Sequence, residues 1–229
     1  MKNKFLFLFI FSFLLIHESF AQKFGIAAIM GVNLAQIDGD NQQGFKKLGL
    51  VAGLRSIVNF DKKWKLHTEI IYSQHGTSPS DYRNISINLN YVETPIYISY
   101  PISDYERTGI VRLYSGASFG KLFSYKTTEI NYNANTTNQE ERYLSLEEVS
   151  DYFNKTDIGI FAGLHALPIG EHFGIDFRYT FSANLLFNKD AVEGNIKNKS
   201  LRSFFISFRL FYEINHIGKK GKKKKRRRR

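Results

Sequence analysis

Residues 201–214 read Leu-Arg-Ser-Phe-Phe-Ile-Ser-Phe-Arg-Leu-Phe-Tyr-Glu-Ile, and apolar side chains recur at every second position. One face of a strand would carry Phe204, Ile206, Phe208, Leu210, Tyr212 and Ile214. The opposite face would carry Ser203, Phe205, Ser207, Arg209, Phe211 and Glu213. This period of two predicts a β-strand between two different environments. A soluble sheet turns its apolar face to a core, whereas an outer-membrane barrel turns that face to lipid.

Seven further stretches alternate in the same way. They are residues 23–37, 47–60, 64–74, 91–100, 109–125, 156–167 and 173–187. Short connections (61–63, 101–108 and 168–172) alternate along the chain with mostly longer ones (38–44, 75–84, 126–155 and 188–200). Short periplasmic turns that alternate with longer extracellular loops are typical of bacterial outer-membrane barrels. The sequence therefore predicts an all-β fold, an eight-stranded antiparallel transmembrane β-barrel that occupies residues 22–218.

The fourth predicted strand is the least regular. Ile85, Ile87 and Leu89 have the parity of the polar face, which predicts a bulge or a departure from the sheet. Pro95 cannot donate a ladder hydrogen bond, so a bulge is expected where it lies.

The polar faces of the strands indicate which side of the barrel is inside. They carry charged residues interleaved with glycines at positions 49, 53, 116, 120, 159 and 163. In a narrow lumen, small residues make room for a few large charged ones. We therefore predict a structural polar network in the lumen, formed by Arg55, Glu69, Glu93, Arg112, His165, Asp176, Arg178, Arg209 and Glu213. The alternative is a soluble, lipocalin-like secreted barrel, with the charged face in water.

The shortest turn predicts a pair inside this network. Centring residues 61–63 on Lys62 places Arg55 opposite Glu69, and directly opposed side chains lie within reach of an ion pair. The same arithmetic across residues 168–172 places His165 opposite Asp176.

Both termini differ from the body of the chain. Lys2 and Lys4 precede the apolar run Phe5–Ile16, and Ser19 and Ala21 suit a cleavage site, so residues 1–21 are predicted to be a signal peptide. The apolar run is too short for a spanning helix, which needs about 20 residues.

Residues 219–229 are predicted to form a disordered basic tail. They hold ten of the cations behind the net charge of +11, residues 1–21 add one net positive charge, and residues 22–218 are therefore balanced. The tail is a solvated run or an anchor to anionic lipid or envelope polymer. Nucleic acid is not an expected partner, because the signal peptide directs the chain out of the cytoplasm.

The sequence offers few of the residue patterns that an enzyme active site or a metal site would need. The chain has no cysteine, and its histidines and carboxylates lack the spacing of a metal site, so no cofactor is predicted. His67, Glu69 and Ser73 share a strand face and could belong to a lipid-modifying enzyme, which we keep as an alternative. Triads require convergent geometry, however, and paired lumen charges explain the same residues.

Several short motifs resemble those of PorT-like outer-membrane β-barrel proteins of Bacteroidetes-type bacteria. They are Gly31-Val32-Asn33, Gly39-Asp40, Gly44-Phe45, Gly49–Gly53, Glu69–Gly76, Tyr91–Ile96, Asp157-Ile158-Gly159 and Ala162-Gly163. The resemblance implies an eight-stranded barrel in the outer membrane and accounts for Pro95 as a family feature. The resemblance implies no enzymatic activity. A link to protein secretion, as for the protein that gives the family its name, is one role that we keep open for this chain, and other interactions in the cell envelope are the alternative.

We therefore expect a small, non-enzymatic outer-membrane protein with a structural or adaptor role in the cell envelope. Its expected partners are outer-membrane lipid, envelope proteins that contact loops 126–155 and 188–200, and anionic lipid or polymer at the basic tail.

Overall fold

A computed structural model of the chain describes residues 24–38, 44–61, 63–78, 85–105, 109–129, 153–169, 172–186 and 201–214. These residues form eight strands: β1 Phe24–Asp38, β2 Lys47–Asn59, β3 Lys65–Thr77, β4 Ile85–Tyr105, β5 Gly109–Glu129, β6 Thr156–Ile169, β7 Phe173–Ser182 and β8 Arg202–Glu213. Each strand pairs antiparallel with the next, and β1 pairs with β8 to close the barrel. The predicted eight-stranded antiparallel barrel is confirmed.

The connections divide the barrel into two ends. We call the end that carries the short connections 60–64, 106–108 and 170–172 the turn end, and the opposite end the loop end. β1 starts and β8 finishes at the turn end. The first short connection is tightened by Asp61, whose Oδ1 accepts hydrogen bonds from the backbone N–H groups of Lys63 (2.6 Å) and Trp64 (2.7 Å).

The two faces of the barrel have the polarity of a membrane protein. Outward-facing Met30 and Ile70 are each 66% exposed, whereas inward-facing Arg55 and Asp176 are 1% and 0% exposed. Arginine and aspartate inside, with aliphatic side chains outside, is the arrangement opposite to that of a soluble barrel. The lipocalin-like alternative is therefore wrong. Among the residues that the structure describes, no helix is long and apolar enough to cross a membrane.

β4 corrects one expectation. Ile87 and Leu89 do not leave the sheet; they point inward, with the same parity as Tyr91, and are fully buried. The register shift lies between Asn90 and Tyr91 of β4, and its extra residue, Phe123, belongs to β5.

Pro95 is accommodated without a bulge. The β3–β4 ladder is interrupted between the pairs Thr68↔Ile96 and Ile71↔Glu93 but keeps its register, while Pro95 stays aligned with Ser118 of β5. The missing N–H of Pro95 therefore interrupts the β3–β4 ladder over a short stretch without shifting its register.

Several predicted boundaries were also wrong. β4 continues to Tyr105 through a register shift between Pro101 and Ser103, β5 continues to Glu129, and β7 ends at Ser182. Loop 126–155 thus begins inside β5. The predicted signal peptide, the basic tail, residues 130–152 and the whole of loop 188–200 lie outside the described residues.

Two inward-facing glycines leave space for large rings. A Cβ atom at Gly163 would lie 2.5 Å from the hydroxyl oxygen of Tyr114, and one at Gly174 would lie 2.0 Å from Cζ of Phe211. Both distances are shorter than van der Waals contact, so the lumen is packed against these backbones.

Candidate functional site: the barrel lumen

The middle of the lumen holds five charged side chains, which we call the central ionic cluster: Arg55, Glu69, Asp176, Arg178 and Arg209. All five have inward parity and are at most 2% exposed. Arg55 of β2 is aligned with Glu69 of β3, as the turn arithmetic predicts, and Asp176 of β7 is aligned with Arg209 of β8. Two cross-strand pairs therefore meet in the lumen.

Glu69 is bound by three guanidinium groups. Its carboxylate accepts hydrogen bonds from Arg55 Nε (2.9 Å), Arg178 Nη2 (3.1 Å to Oε2) and Arg209 Nη1 (3.0 Å). The hydroxyl of Tyr97 also donates a hydrogen bond, of 2.7 Å, to Oε1. These donors come from four strands, so Glu69 connects opposite walls of the barrel.

Asp176 is the second acidic centre. Arg55 Nη2 donates to its Oδ2 over 2.6 Å, and Arg209 Nη2 donates to its Oδ1 over 2.8 Å. The Tyr114 hydroxyl also donates to Oδ1, over 2.5 Å. Arg55 and Arg209 thus each bind both carboxylates, and the cluster is one connected network.

The cluster contains one more cation than anion, and aromatic faces offset part of that difference. The Arg178 guanidinium lies 4.0 Å from the centroid of Phe161, and that of Arg55 lies 4.7 Å from the centroid of Phe211. Contacts of this kind favour a desolvated cation.

A second polar group lies toward the loop end. His75 Nε2 contacts Glu93 Oε1 (2.7 Å) and Ser73 Oγ (2.8 Å). The Asn33 amide donates to Ser73 Oγ over 3.0 Å and accepts from Ser207 Oγ over 2.8 Å. Predicted network member Glu93 therefore belongs to this separate group.

A third polar group lies toward the turn end. Arg112 donates through Nε to Ser99 Oγ (3.0 Å) and through Nη2 to the backbone oxygen of Lys63. His67 Nε2 contacts the same Ser99 hydroxyl at 2.9 Å, and the rings of His67 and His165 are 5.4 Å apart. His165 is aligned with Asp176, as predicted, but packs among aromatic rings.

Glu213, the last predicted member, is 8% exposed and lies at the final residue of β8, at the turn end. The nine predicted residues are therefore all in the lumen, but they fall into a central cluster and two flanking groups.

Above these polar layers, the loop end of the lumen is filled by an apolar plug. It consists of Ile37, Ile87, Leu89, Tyr91, Leu122, Phe153, Leu186 and Leu201. Three members come from outside the strands, and backbone hydrogen bonds hold them: Asn154 N–H to Leu186 O and Leu186 N–H to Leu201 O, each 2.8 Å. The plug, the ionic cluster and the turn-end group fill the lumen in succession.

The catalytic candidates are not assembled. His67 bonds Ser99 rather than Ser73, and Glu69 is bound by the three arginines. His75 contacts both Ser73 and Glu93, but it does so through one ring nitrogen, Nε2. A catalytic triad needs the serine on one nitrogen of the histidine and the carboxylate on the other. Across the described ranges, no group of three or more histidines and carboxylates could hold a metal ion.

Sequence reasoning did not single out Asn33, His75, Tyr97, Tyr114 and Ser207 as members of these groups. The inward parity of Asn33, Tyr97, Tyr114 and Ser207 was visible in the alternation of the strands, whereas His75 was assigned to the connection 75–84 and belongs to β3 in the structure. Their partners were not visible, because contacts across the lumen depend on how the closed barrel brings distant strands together.

Comparison with known families gives one match. The profile of a family described as "Outer membrane protein beta-barrel domain" matches residues 20–188. A comparison with curated protein sequences found no match.

Several solved structures are similar to this chain in fold. One is Ail, the attachment invasion locus protein of Yersinia pestis, in complex with the heparin analogue sucrose octasulfate (15% identity, 82% of this chain, 98% of that chain, TM-score 0.42). Another is Neisserial surface protein A (13% identity, 82% of this chain, 96% of that chain, TM-score 0.40). A third is the outer membrane protein OprG from Pseudomonas aeruginosa (10% identity, 84% of this chain, 94% of that chain, TM-score 0.37).

Proposed function

Because this chain belongs to the outer membrane protein β-barrel domain family, we propose that it acts as a structural or adaptor protein of the cell envelope rather than as an enzyme. The protein is located in the outer membrane. Within that setting, its role depends on whether the lumen, the outer surface or the loops make the functional contacts.

The filled lumen is the observation that carries the proposal. The carboxylates of Glu69 and Asp176 are bound by arginines and tyrosines, and the apolar plug lies between this cluster and the loop end. A pore needs a water-filled channel and a hydrolase needs a nucleophile that substrate can reach. Neither requirement suits a lumen packed in this way, which instead makes the barrel a rigid support for its loops.

The loops are the proposed adaptor surface. Loops 126–155 and 188–200 lie at the loop end, which we assign to the outside of the cell because long loops are extracellular in such barrels. Their described bases are joined: Asn154 and Leu186 are bonded through the backbone, and the Asn154 side-chain amide donates to Leu185 O over 2.8 Å. We expect the two loops to act together on an envelope protein, and we propose a functional relation to PorT-like barrels.

The termini belong to the same proposal. Residues 1–21 would direct export, and the basic tail 219–229, which follows β8 in the sequence, would lie on the periplasmic side if the turn end does. Ten cations there would attract anionic lipid or envelope polymer, with a strength that falls as salt rises.

Cross-linking in the native envelope tests the adaptor role. We would compare the wild-type protein with a variant in which residues 131–151 are replaced by a glycine-serine linker of equal length. Envelope proteins enriched with the wild type and lost with the variant would support the proposal. Identical cross-links from both proteins, together with a lipid composition that changes when the protein is expressed, would overturn it in favour of the lipid-modifying enzyme.

A further inference from the structure

The outward face of the barrel changes from apolar to polar near the loop end of β3, β4 and β5. Tyr72, Val92 and Lys121 are aligned across these strands, and Thr156 of β6 continues the row. The next row toward the loop end is Gln74, Asn90 and Ser124. Because Lys121 and Thr156 already lie in the first row and every side chain of the second row is polar, the boundary between acyl chains and headgroups lies at these two rows.

The register shift in β5 places an aromatic ring at that boundary. Phe123 is the extra residue of the bulge, is 58% exposed and faces outward between the two rows. Its ring centroid lies 6.0 Å from that of Tyr72. Bulges commonly redirect a side chain at a functional position, and aromatic rings are enriched at membrane interfaces.

Two amides and a phenol form a fixed polar group beside the bulge. The Asn90 Oδ1 atom accepts hydrogen bonds from the Tyr72 hydroxyl (2.8 Å) and from Gln74 Nε2 (3.0 Å). These bonds hold the Asn90 amide and leave its N–H groups, together with the Gln74 carbonyl, able to meet hydroxyl groups of a ligand.

The charge of this surface has one sign. Lys121 and Lys126 are both exposed, and Lys126 faces outward because it is aligned with Asn88. Among the described side chains of these outward rows there is no carboxylate. At the turn end, in contrast, the exposed cation Lys63 lies in the same turn as Asp61.

We propose that Tyr72, Gln74, Asn90, Lys121, Phe123 and Lys126 bind the headgroup of a phosphorylated glycolipid in the leaflet at the loop end. The lysines meet the phosphates, the amides meet sugar hydroxyls, and the two aromatic rings lie where the acyl chains begin. Charge complementarity favours an anionic headgroup, and the amide group favours a sugar over a simple phosphodiester. The inference rests on the proposed orientation, with the loop end outside.

Lipid binding to the purified mature protein tests the site. Native mass spectrometry would measure occupancy during titration with bisphosphorylated lipid A, with dephosphorylated lipid A and with phosphatidylglycerol. A lysine near a charged membrane surface contributes about 1 kcal/mol, so Lys121→Gln and Lys126→Gln should each weaken binding of bisphosphorylated lipid A about fivefold. Phe123→Ser should weaken all three lipids, and Lys63→Gln is the matched control at the turn end.

The outcomes separate the possible lipids. Loss of lipid A affinity in the two loop-end lysine variants but not in the control, with a smaller loss for phosphatidylglycerol, would support the glycolipid site. Equal losses for lipid A and phosphatidylglycerol, or equal losses in the control, would overturn it in favour of a general anionic-lipid surface. Unchanged heat-modifiable migration confirms that each variant is folded. Because the readout is lipid occupancy, a failure of the adaptor role would appear only in the cross-linking experiment.

Discussion

Replacement of Glu69 by glutamine should be among the most damaging single changes in the barrel. The substitution keeps the shape of the side chain but removes the charge that binds Arg55, Arg178 and Arg209 at 2.9, 3.1 and 3.0 Å. The central ionic cluster would then hold three cations against Asp176 alone. Because loss of one partner from a buried ion pair costs about 3–5 kcal/mol, we expect a loss of this size in the free energy of unfolding.

A second substitution should recover part of that loss. Arg55→Met removes one of the three cations and fills similar volume, so the double variant leaves two arginines with Asp176. The double variant should therefore be more stable than Glu69→Gln alone, with a coupling energy of about 1–3 kcal/mol. Asp176 keeps its bonds from Arg209 and Tyr114 in this variant, so it is not stranded.

Urea unfolding from lipid vesicles would measure these free energies. The chain has one tryptophan, Trp64, which is 43% exposed on the outward face beside Tyr100, so its fluorescence reports insertion. Lys46→Gln, at an exposed site outside the lumen and the proposed lipid site, is the control and should stay within about 0.5 kcal/mol of the wild type. Simple additivity of the two lumen changes, or a cost below about 1 kcal/mol for Glu69→Gln, would refute the coupled-cluster reasoning.

Three further predictions test other parts of the fold. Ile160→Arg, at mid-strand on the outward face, should cost about 2–4 kcal/mol, whereas Val58→Arg, near the turn end, should cost about 0–1 kcal/mol, and equal costs in vesicle unfolding would contradict the assigned depths. Gly174→Ala should cost about 1–3 kcal/mol in the same assay, since the new methyl would meet the facing phenyl ring at 2.0 Å, and a stability gain would show that the lumen has spare volume there. Hydrogen bonds from two N–H groups of the β2–β3 turn lower the pKa of Asp61, so its stabilisation of the turn should be complete above the ordinary carboxyl range and lost as pH falls through the lowered pKa. The protection of the turn amides, measured as exchange relative to an unstructured peptide at the same pH, should therefore fall in acid in the wild type but not in Asp61→Ala.

Alternation in the sequence was sufficient to predict the strands and their faces, because a period of two survives wherever one side of a strand meets lipid. Register across the turn at residues 61–63 was also predictable, since a tight turn fixes which residues face each other. Arg55 and Glu69 are aligned for that reason.

Contacts across the lumen were not predictable in this way. Asp176 is aligned with His165 and with Arg209, yet it also forms an ion pair with Arg55 of β2, which is not a neighbour of β7. Closure of the barrel decides such contacts, and no local pattern records it. Ile87 and Leu89 were misread for a related reason: an inward aliphatic residue was unexpected in a polar lumen, but near the loop end these residues form the plug.

The most direct test of the account is a spin-label scan of β8, which is straightforward because the chain has no native cysteine. Single variants Ile206→Cys, Phe208→Cys and Leu210→Cys, and their neighbours Ser207→Cys and Arg209→Cys, would be labelled in lipid vesicles. Collision rates with oxygen, which concentrates in lipid, and with a water-soluble nickel complex would then be measured. A lipid-facing apolar surface around a filled lumen should give high oxygen collision at the three even positions and low collision with both reagents at the two odd ones. High nickel collision at the even positions, or oxygen collision that does not alternate, would contradict a lipid-facing apolar surface around a filled polar lumen.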